Sequence, residues 1–122
     1  LEKSLKFLKP RAALTWNARL TTAAGLHSAD MANRNYFDHN SPEGTTLGQR
    51  ITAAGYTWST AAENIAAGYG SVNAVMNGWI ASAGHCRNLM NANLREVGVA
   101  CVMAPTSADY SNYWTMDLAA PR

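Results

Sequence analysis

The sequence has little charge, few prolines and no long apolar run, and each shortage excludes a class of protein. Of its 122 residues only 15% are charged, and a net charge of +2 is too small to indicate a nucleic-acid or anionic-membrane partner. Four prolines beside four tryptophans and 48% hydrophobic residues exclude a disordered chain. The stretch without Asp, Glu, Lys or Arg around residues 64–86 is too often interrupted by Asn, Gly and Ser to span a membrane.

The sequence contains two cysteines, Cys86 and Cys101. In a small, weakly charged domain two thiols suggest one disulfide bond and an oxidising compartment, although the count alone does not establish the pairing. Closing a loop of this length would stabilise the fold by about 3 kcal/mol. We therefore expect Cys86 and Cys101 to be bonded to each other.

Hydrophobic periodicity predicts helices in most of the chain and strands in its last third. Asn17 can cap a helix that ends near Asn35, and Ser71 can cap a second amphipathic helix. Alternation over residues 97–103 and 113–118 predicts two strands of an antiparallel hairpin. Shorter elements are predicted at residues 1–9 (helix), 47–54 (helix), 56–59 (strand) and 85–90 (helix). No linker or repeat appears, so all 122 residues form a single α+β domain.

Three histidines are the main candidates for acid–base or metal chemistry. His39 stands at the edge of a turn, and His85 follows Gly84, which lets a backbone or a ligand approach closely. His27 lies on the apolar face of the predicted helix, where packing in the core is the expected role. No short zinc motif such as His-Glu-x-x-His links the histidines, so spacing alone does not establish a metal site.

The glutamates and possible nucleophiles have structural explanations as well as chemical ones. Glu63 lies among apolar residues and is expected to be buried, with Arg50 or Arg87 as the partner in an ion pair. Glu96 is expected to face water at the edge of a strand, and Ser82 to cap a short helix. The sequence contains no nucleotide-binding glycine loop and no Gly-x-Ser-x-Gly motif.

Short motifs follow one another along almost the whole chain. In order they are Leu14-Thr15-Trp16-Asn17, His27-Ser28-Ala29-Asp30-Met31-Ala32, Tyr36-Phe37-Asp38-His39, Ser41-Pro42-Glu43-Gly44, Ala54-Gly55-Tyr56, Glu63-Asn64-Ile65-Ala66, Gly78-Trp79, Gly84-His85 with Asn88-Leu89-Met90, Glu96-Val97-Gly98-Val99-Ala100 and Tyr113-Trp114-Thr115. Together they resemble the CAP superfamily of cysteine-rich secretory proteins, antigen 5 and plant pathogenesis-related class 1 proteins, and in particular its bacterial SCP-like extracellular branch. Residues 1–9 lack the Asn-x-x-Arg pattern common in the first helix of that superfamily, so part of this helix is expected to be missing.

The resemblance implies an α-β-α sandwich, with a small antiparallel sheet between helical layers, and an extracellular or periplasmic location. It also implies a cleft with two histidines and two glutamates, in which the histidines can hold a divalent metal such as zinc. By motif, the histidines are His39 and His85 and one glutamate is Glu63. The position of the second glutamate is occupied by Ser82. Glu96 is not the aligned residue, and we retain it only as a further candidate for the cleft.

Three functions are compatible with these residues. The favoured one is a secreted binding module, requiring no cofactor, whose His-containing cleft takes a lipid, a glycan, a peptide or a ligand bridged by a divalent metal. The alternative is a peptidase-like zinc hydrolase in which His39 and His85 bind the metal and Glu63 is the general base. The third is a purely structural, hydrogen-bonded strut. Because no nucleophile accompanies the histidines, no catalytic residue is assigned and non-enzymatic binding is preferred. We expect a monomer or weak dimer, with no nucleic-acid partner.

Overall fold

The computed structural model describes residues 11–122, and the helix predicted at residues 1–9 lies outside them. In chain order the elements are β1 (Thr15–Trp16), α1 (Ala18–Arg34), α2 (Leu47–Ala53), β2 (Trp58–Ala67), α3 (Val72–Ala81), α4 (Ala83–Met90), β3 (Glu96–Met103) and β4 (Asn112–Pro121). This content confirms the predicted α+β class. Within the described range, no helix has both the length and the apolar character that crossing a membrane requires.

The four strands form one sheet in the order β1-β3-β4-β2. Strands β3 and β4 form the predicted antiparallel hairpin, and β2 is antiparallel to β4 at the edge of the sheet. The strand predicted at residues 56–59 is too short, because β2 continues to Ala67. Alanine has a low intrinsic preference for strands, and β2 is nevertheless extended because it pairs with β4 over nearly its whole length.

Local hydrogen bonds fix both ends of α1. The Asn17 side chain caps the helix by accepting hydrogen bonds from the backbone amides of Arg19 (2.9 Å) and Leu20 (3.2 Å), as predicted. The helix ends at Asn35, which has a left-handed φ of 52°. His27 is 1% exposed on the inner face of α1, which confirms its predicted place in the core.

Helices cover both faces of the sheet and complete the predicted α-β-α sandwich. On one face α1 and α2 pack through Leu20 and Ile51 against Ala119 of β4. On the opposite face α3, capped by Ser71 as predicted, buries Val75 and Trp79. The sheet and loop residues buried against α3 are Ala66, Leu94, Val97, Trp114, Met116 and Leu118.

A row of three residues runs across the sheet beneath α1. Asp117 on β4 lies directly opposite Glu63 on β2 and opposite Gly98 on β3, so the three positions share one face of the sheet. A Cβ atom at Gly98 would lie 2.1 Å from the backbone nitrogen of Thr21. Glycine at this position therefore allows the backbone of α1 to lie directly on β3.

The predicted disulfide bond is wrong, since Cys86 and Cys101 are both free thiols. Helix α4 directs Cys86 into the protein, where it is 3% exposed. Cys101 is exposed on β3, opposite Trp114 of β4. The two elements place the thiols in different environments, and the argument from cysteine usage for an oxidising compartment no longer holds.

The contact between α1 and β3 predicts a strong effect of Gly98→Ala. The new methyl group would collide with rigid backbone, and we expect the free energy of unfolding to fall by about 3 kcal/mol. The matched control is Gly25→Ala, whose Cβ would lie 3.7 Å from the Ala100 side chain across the same interface. We expect the control to be neutral or to gain up to about 1 kcal/mol from helix propensity. Urea unfolding measures both, and equal stability of the two variants would contradict the packing described.

Candidate binding cleft

A cleft of about 300 Å³ lies where the edge strand β2 meets α3 and α4. Its lining includes Phe37, Tyr69, Trp79, Ser82, His85 and Tyr110. The edge position of β2 allows the loop after α1 and the start of α4 to approach the strand from opposite sides. The cleft therefore combines residues that are far apart in the sequence.

The Glu63 carboxylate, whose side chain is 1% exposed, connects three elements at this strand. The Arg50 guanidinium of α2 donates to both of its oxygens, from Nη1 at 2.8 Å and from Nη2 at 3.0 Å. The imidazole of His39 donates from Nδ1 to Oε1 at 2.9 Å. Of the two partners predicted for Glu63, Arg50 is the one the fold provides.

These bonds determine the charge of Glu63. Burial alone would raise the pKa of its carboxyl group, but the neighbouring Asp117 carboxyl group, the hydrogen bonds from His39 and Arg50, and the Arg50 charge outweigh burial and lower that pKa well below its usual range. Glu63 is consequently a stable anion at neutral pH and a weak proton acceptor.

His39 is a half-exposed side chain held from both directions. Its Nδ1–H bond to Glu63 is the main cause that raises the pKa of His39, and it outweighs the opposing effect of burial. The His39 backbone carbonyl also accepts a hydrogen bond from Arg50 Nη2 at 2.8 Å. Arg50 therefore fixes both the loop that carries His39 and the carboxylate that it contacts.

His85 forms a second pair with Ser82. The Ser82 hydroxyl lies 2.8 Å from His85 Nδ1. Ser82 stands at the N-cap position of α4, but its side chain caps no backbone amide there, so its predicted capping role is wrong. Burial, followed by the charge of His39, lowers the pKa of His85. The pKa values of His39 and His85 are thus shifted in opposite directions.

Two asparagines that were not predicted as site residues attach α4 to β2. Asn88 Nδ2 donates to the Asn64 side chain at 2.9 Å and to the Glu63 carbonyl at 3.3 Å. Asn64 Nδ2 in turn donates to the His85 carbonyl at 3.3 Å. Both asparagines belong to motifs that carried the resemblance, and that membership was the only signal for them. They set the distance between the two halves of the cleft.

Exposed aromatic side chains form the rim of the cleft and were also missed. Phe37, Tyr69 and Tyr110 are 48%, 37% and 47% exposed. The rings of Phe37 and Tyr110 lie 6.3 Å apart between centroids. A Cβ at Gly78 would lie 2.6 Å from the Tyr69 hydroxyl, so this glycine of α3 allows the Tyr69 side chain to lie against the helix.

Four of the five residues predicted for the cleft form two pairs, His39–Glu63 and Ser82–His85, and of these four residues Ser82 and His85 line the cleft. The fifth, Glu96, is engaged elsewhere. Its carboxylate accepts hydrogen bonds from the Tyr56 hydroxyl at 2.7 Å and from Asn17 Nδ2 at 3.2 Å. It is therefore neither a cleft residue nor the water-facing charge expected from its position at a strand edge.

The donor set does not fit a catalytic zinc centre. Both imidazoles use Nδ1 within the protein, which leaves only their Nε2 atoms for an external ligand. The carboxylate oxygens of Glu63 are already engaged by Arg50 and His39. Residues 11–122 contain no group of three His, Cys, Asp or Glu side chains arranged to hold a metal ion, whereas catalytic zinc takes three protein ligands.

Comparison with known proteins assigns this architecture to a family. The family model described as the cysteine-rich secretory protein family, CAP, matches residues 9–118. The chain is 36% identical over 101 residues to the uncharacterized protein YkwD of Bacillus subtilis (strain 168). That alignment covers 83% of this chain and 38% of YkwD.

Two solved structures have the same fold. An extracellular protein containing an SCP domain from Bacillus anthracis str. Ames superposes with a TM-score of 0.78 at 33% identity, covering 89% of this chain and 34% of that one. An outer surface protein from Borrelia burgdorferi gives a TM-score of 0.81 over 98% of this chain and 84% of its own, and at 21% identity the likeness concerns the fold alone. This chain thus spans 34–38% of the two Bacillus proteins.

The pKa values of His39 and His85 are shifted in opposite directions, and these shifts predict the order in which the two residues titrate. We expect His39 to titrate above the ordinary histidine pKa of about 6.5 and His85 below it. Because the folded-state pKa of His39 is raised, its protonation stabilises the fold fully below about pH 6.5, and this contribution is lost as the pH rises through that raised value. Histidine NMR signals followed against pH measure both groups. The variant His39→Gln identifies its signal, and a higher midpoint for His85 than for His39 would contradict the hydrogen-bond assignment.

Proposed function

The chain belongs to the CAP family of cysteine-rich secretory proteins, and we propose that its cleft binds a glycan without cleaving it. The observation that carries the proposal is the pairing of an exposed aromatic rim with a small polar floor. The rim is formed by Phe37, Tyr69 and Tyr110, and the floor by Ser82 and His85.

An aromatic rim around polar groups matches the two-sided chemistry of a sugar ring. The C–H face of a pyranose is apolar and packs on an aromatic ring, while its hydroxyl groups need hydrogen-bond partners. Ser82 and His85 supply such partners at the floor of the cleft. A volume of about 300 Å³ lies at the small end of the range for ligand pockets, which favours one or two sugar units over a long acyl chain.

The state of Glu63 argues against the alternative of a zinc hydrolase. A general base works best when its pKa lies near the working pH, whereas the pKa of Glu63 is held well below its usual range while the carboxylate accepts three hydrogen bonds from Arg50 and His39. The two-imidazole donor set also falls short of the three protein ligands of catalytic zinc. Ligand binding needs neither a general base nor a three-ligand zinc site, so it fits the observed geometry better than hydrolysis does.

The proposal includes an extracellular or periplasmic location. Its support is the Bacillus anthracis relative, an extracellular protein that contains an SCP domain. Glycans of the cell envelope are abundant in those compartments. The ligand and partners of a longer protein containing this domain belong to the same proposal.

Glycan binding is tested by NMR titration of ¹⁵N-labelled protein with soluble oligosaccharides of cell-wall amino sugars. We expect shifts confined to the cleft, and an affinity about tenfold lower in Tyr110→Ala because one stacking contact is lost. The matched control is Trp16→Ala, which removes a 71% exposed aromatic side chain outside the cleft and leaves the affinity unchanged.

The same titration includes short peptides and a short-chain phospholipid as competing classes. Cleft shifts with peptide or lipid and none with the sugars would overturn the glycan assignment. Release of a cleaved product that disappears in His85→Ala, in folded protein, would overturn the binding function itself.

A further inference from the structure

We propose that Asp117 is a neutral carboxylic acid that donates a hydrogen bond to Glu63, and that it is a positioning residue for His39. Asp117 lies on β4, below the cleft, and it does not line the ligand space. It acts through Glu63. The inference concerns the protonation of the site and does not depend on which ligand the cleft takes.

The sheet register places the two carboxyl groups side by side. Asp117 lies directly opposite Glu63 across the β2–β4 ladder, so both side chains extend from the same face of the sheet. Directly opposed residues have Cβ atoms roughly 4.5–5.5 Å apart. Both side chains are 1% exposed, so water cannot separate their charges.

The surroundings of Asp117 supply no donor for an ionised carboxylate. Within residues 11–122, neither of its oxygens accepts a hydrogen bond from an N–H or O–H group. The nearest cationic atom, Arg50 Nη1, is 3.9 Å from Asp117 Oδ2 but only 2.8 Å from Glu63 Oε2. A second buried anion with no donor would be strongly unfavourable, whereas a protonated carboxyl group becomes a donor itself.

The other groups around the pair are consistent with one positive and one negative charge in the interior. Arg50 balances Glu63. His27 lies 3.9 Å from Glu63, and its Nε2 faces the Asp38 carbonyl at 2.8 Å, while burial lowers its pKa and favours the neutral ring. On the other side of Asp117, Gly98 brings no side chain.

A proton on Asp117 explains how Glu63 remains ionised in a buried position. Burial, and then the hydrogen bond and charge of Glu63, raise the pKa of Asp117 well above its ordinary value, while that bond lowers the pKa of Glu63. With Asp117 donating from below, the Glu63 oxygens are held toward Arg50 and His39. Asp117 thus orients the carboxylate to which His39 is bonded.

The direct test is the ¹³C chemical shift of the Asp117 side-chain carboxyl group in the unmodified protein. We expect the signal of a protonated acid at pH 7, and the signal of a carboxylate there would overturn the proposal. This measurement requires no variant, so it remains decisive even if substitutions at Asp117 disturb folding.

The conservative variant Asp117→Asn supplies a second test, because its amide also donates to Glu63 without a titrating proton. We expect it to keep the raised pKa of His39, whereas Asp117→Leu, which lacks a donor, lowers that pKa toward the ordinary value. Loss of the raised His39 pKa in Asp117→Asn as well would overturn the positioning role.

The pH dependence of unfolding gives a third readout. A raised folded-state pKa means that the protonation of Asp117 stabilises the fold fully below its unfolded pKa, and that this stability is lost as the pH rises. Asp117→Asn has no proton to lose at this position and is therefore spared this loss of stability. Between the unfolded-state and folded-state pKa values of Asp117, we expect the ratio of its folding equilibrium constant to that of wild type to rise by up to about tenfold per pH unit. The control Asp109→Asn removes a carboxyl group from the exposed loop before β4. If the stability of Asp109→Asn relative to wild type changed with pH as steeply as that of Asp117→Asn, the assignment would be contradicted.

Discussion

A buried carboxylate, Glu63, is the constraint on which the candidate site depends. An anion removed from water must be compensated, and here the compensation comes from Arg50 of α2, from His39 in the loop after α1 and, in our proposal, from Asp117 of β4. Each partner belongs to a different element. The requirement to neutralise one charge therefore fixes the relative positions of a helix, a loop and two strands beside the cleft.

The compensated Glu63 carboxylate is better suited to the proposed ligand binding than to proton transfer. The bonds from Arg50 and His39 make the Glu63 carboxylate a weak base. It is a fixed anion that favours the protonated form of His39. His85, held by Ser82, is shifted toward the neutral form. In the binding that we propose, a ligand meets the His85 imidazole and a rim of aromatic rings. Under the proposed function, the structural strut and the binding site are two consequences of one hydrogen-bond network.

The features that depend on local chemistry could be predicted from the sequence. The caps at Asn17 and Ser71 and the alternating hairpin follow from side chains within a few residues, and burial of Glu63 followed from its apolar neighbours. Features that depend on long-range pairing were not accessible. The full length of β2 is imposed by β4 against the low strand preference of alanine, and Asp117 becomes significant only because the register places it opposite Glu63. The disulfide was predicted from a count of cysteines, without the geometry that determines whether two thiols can meet.

The most direct test of this account is the titration of the Glu63 side-chain carboxyl group by ¹³C NMR. We expect Glu63 to stay ionised as the pH is lowered from 7, with a midpoint well below the ordinary glutamate value, for as long as the amide spectrum remains native. A midpoint at or above the ordinary glutamate value of about 4.3 in the folded protein would contradict it. Glu63 would then lack the compensation described, and a role as a proton acceptor would have to be considered again.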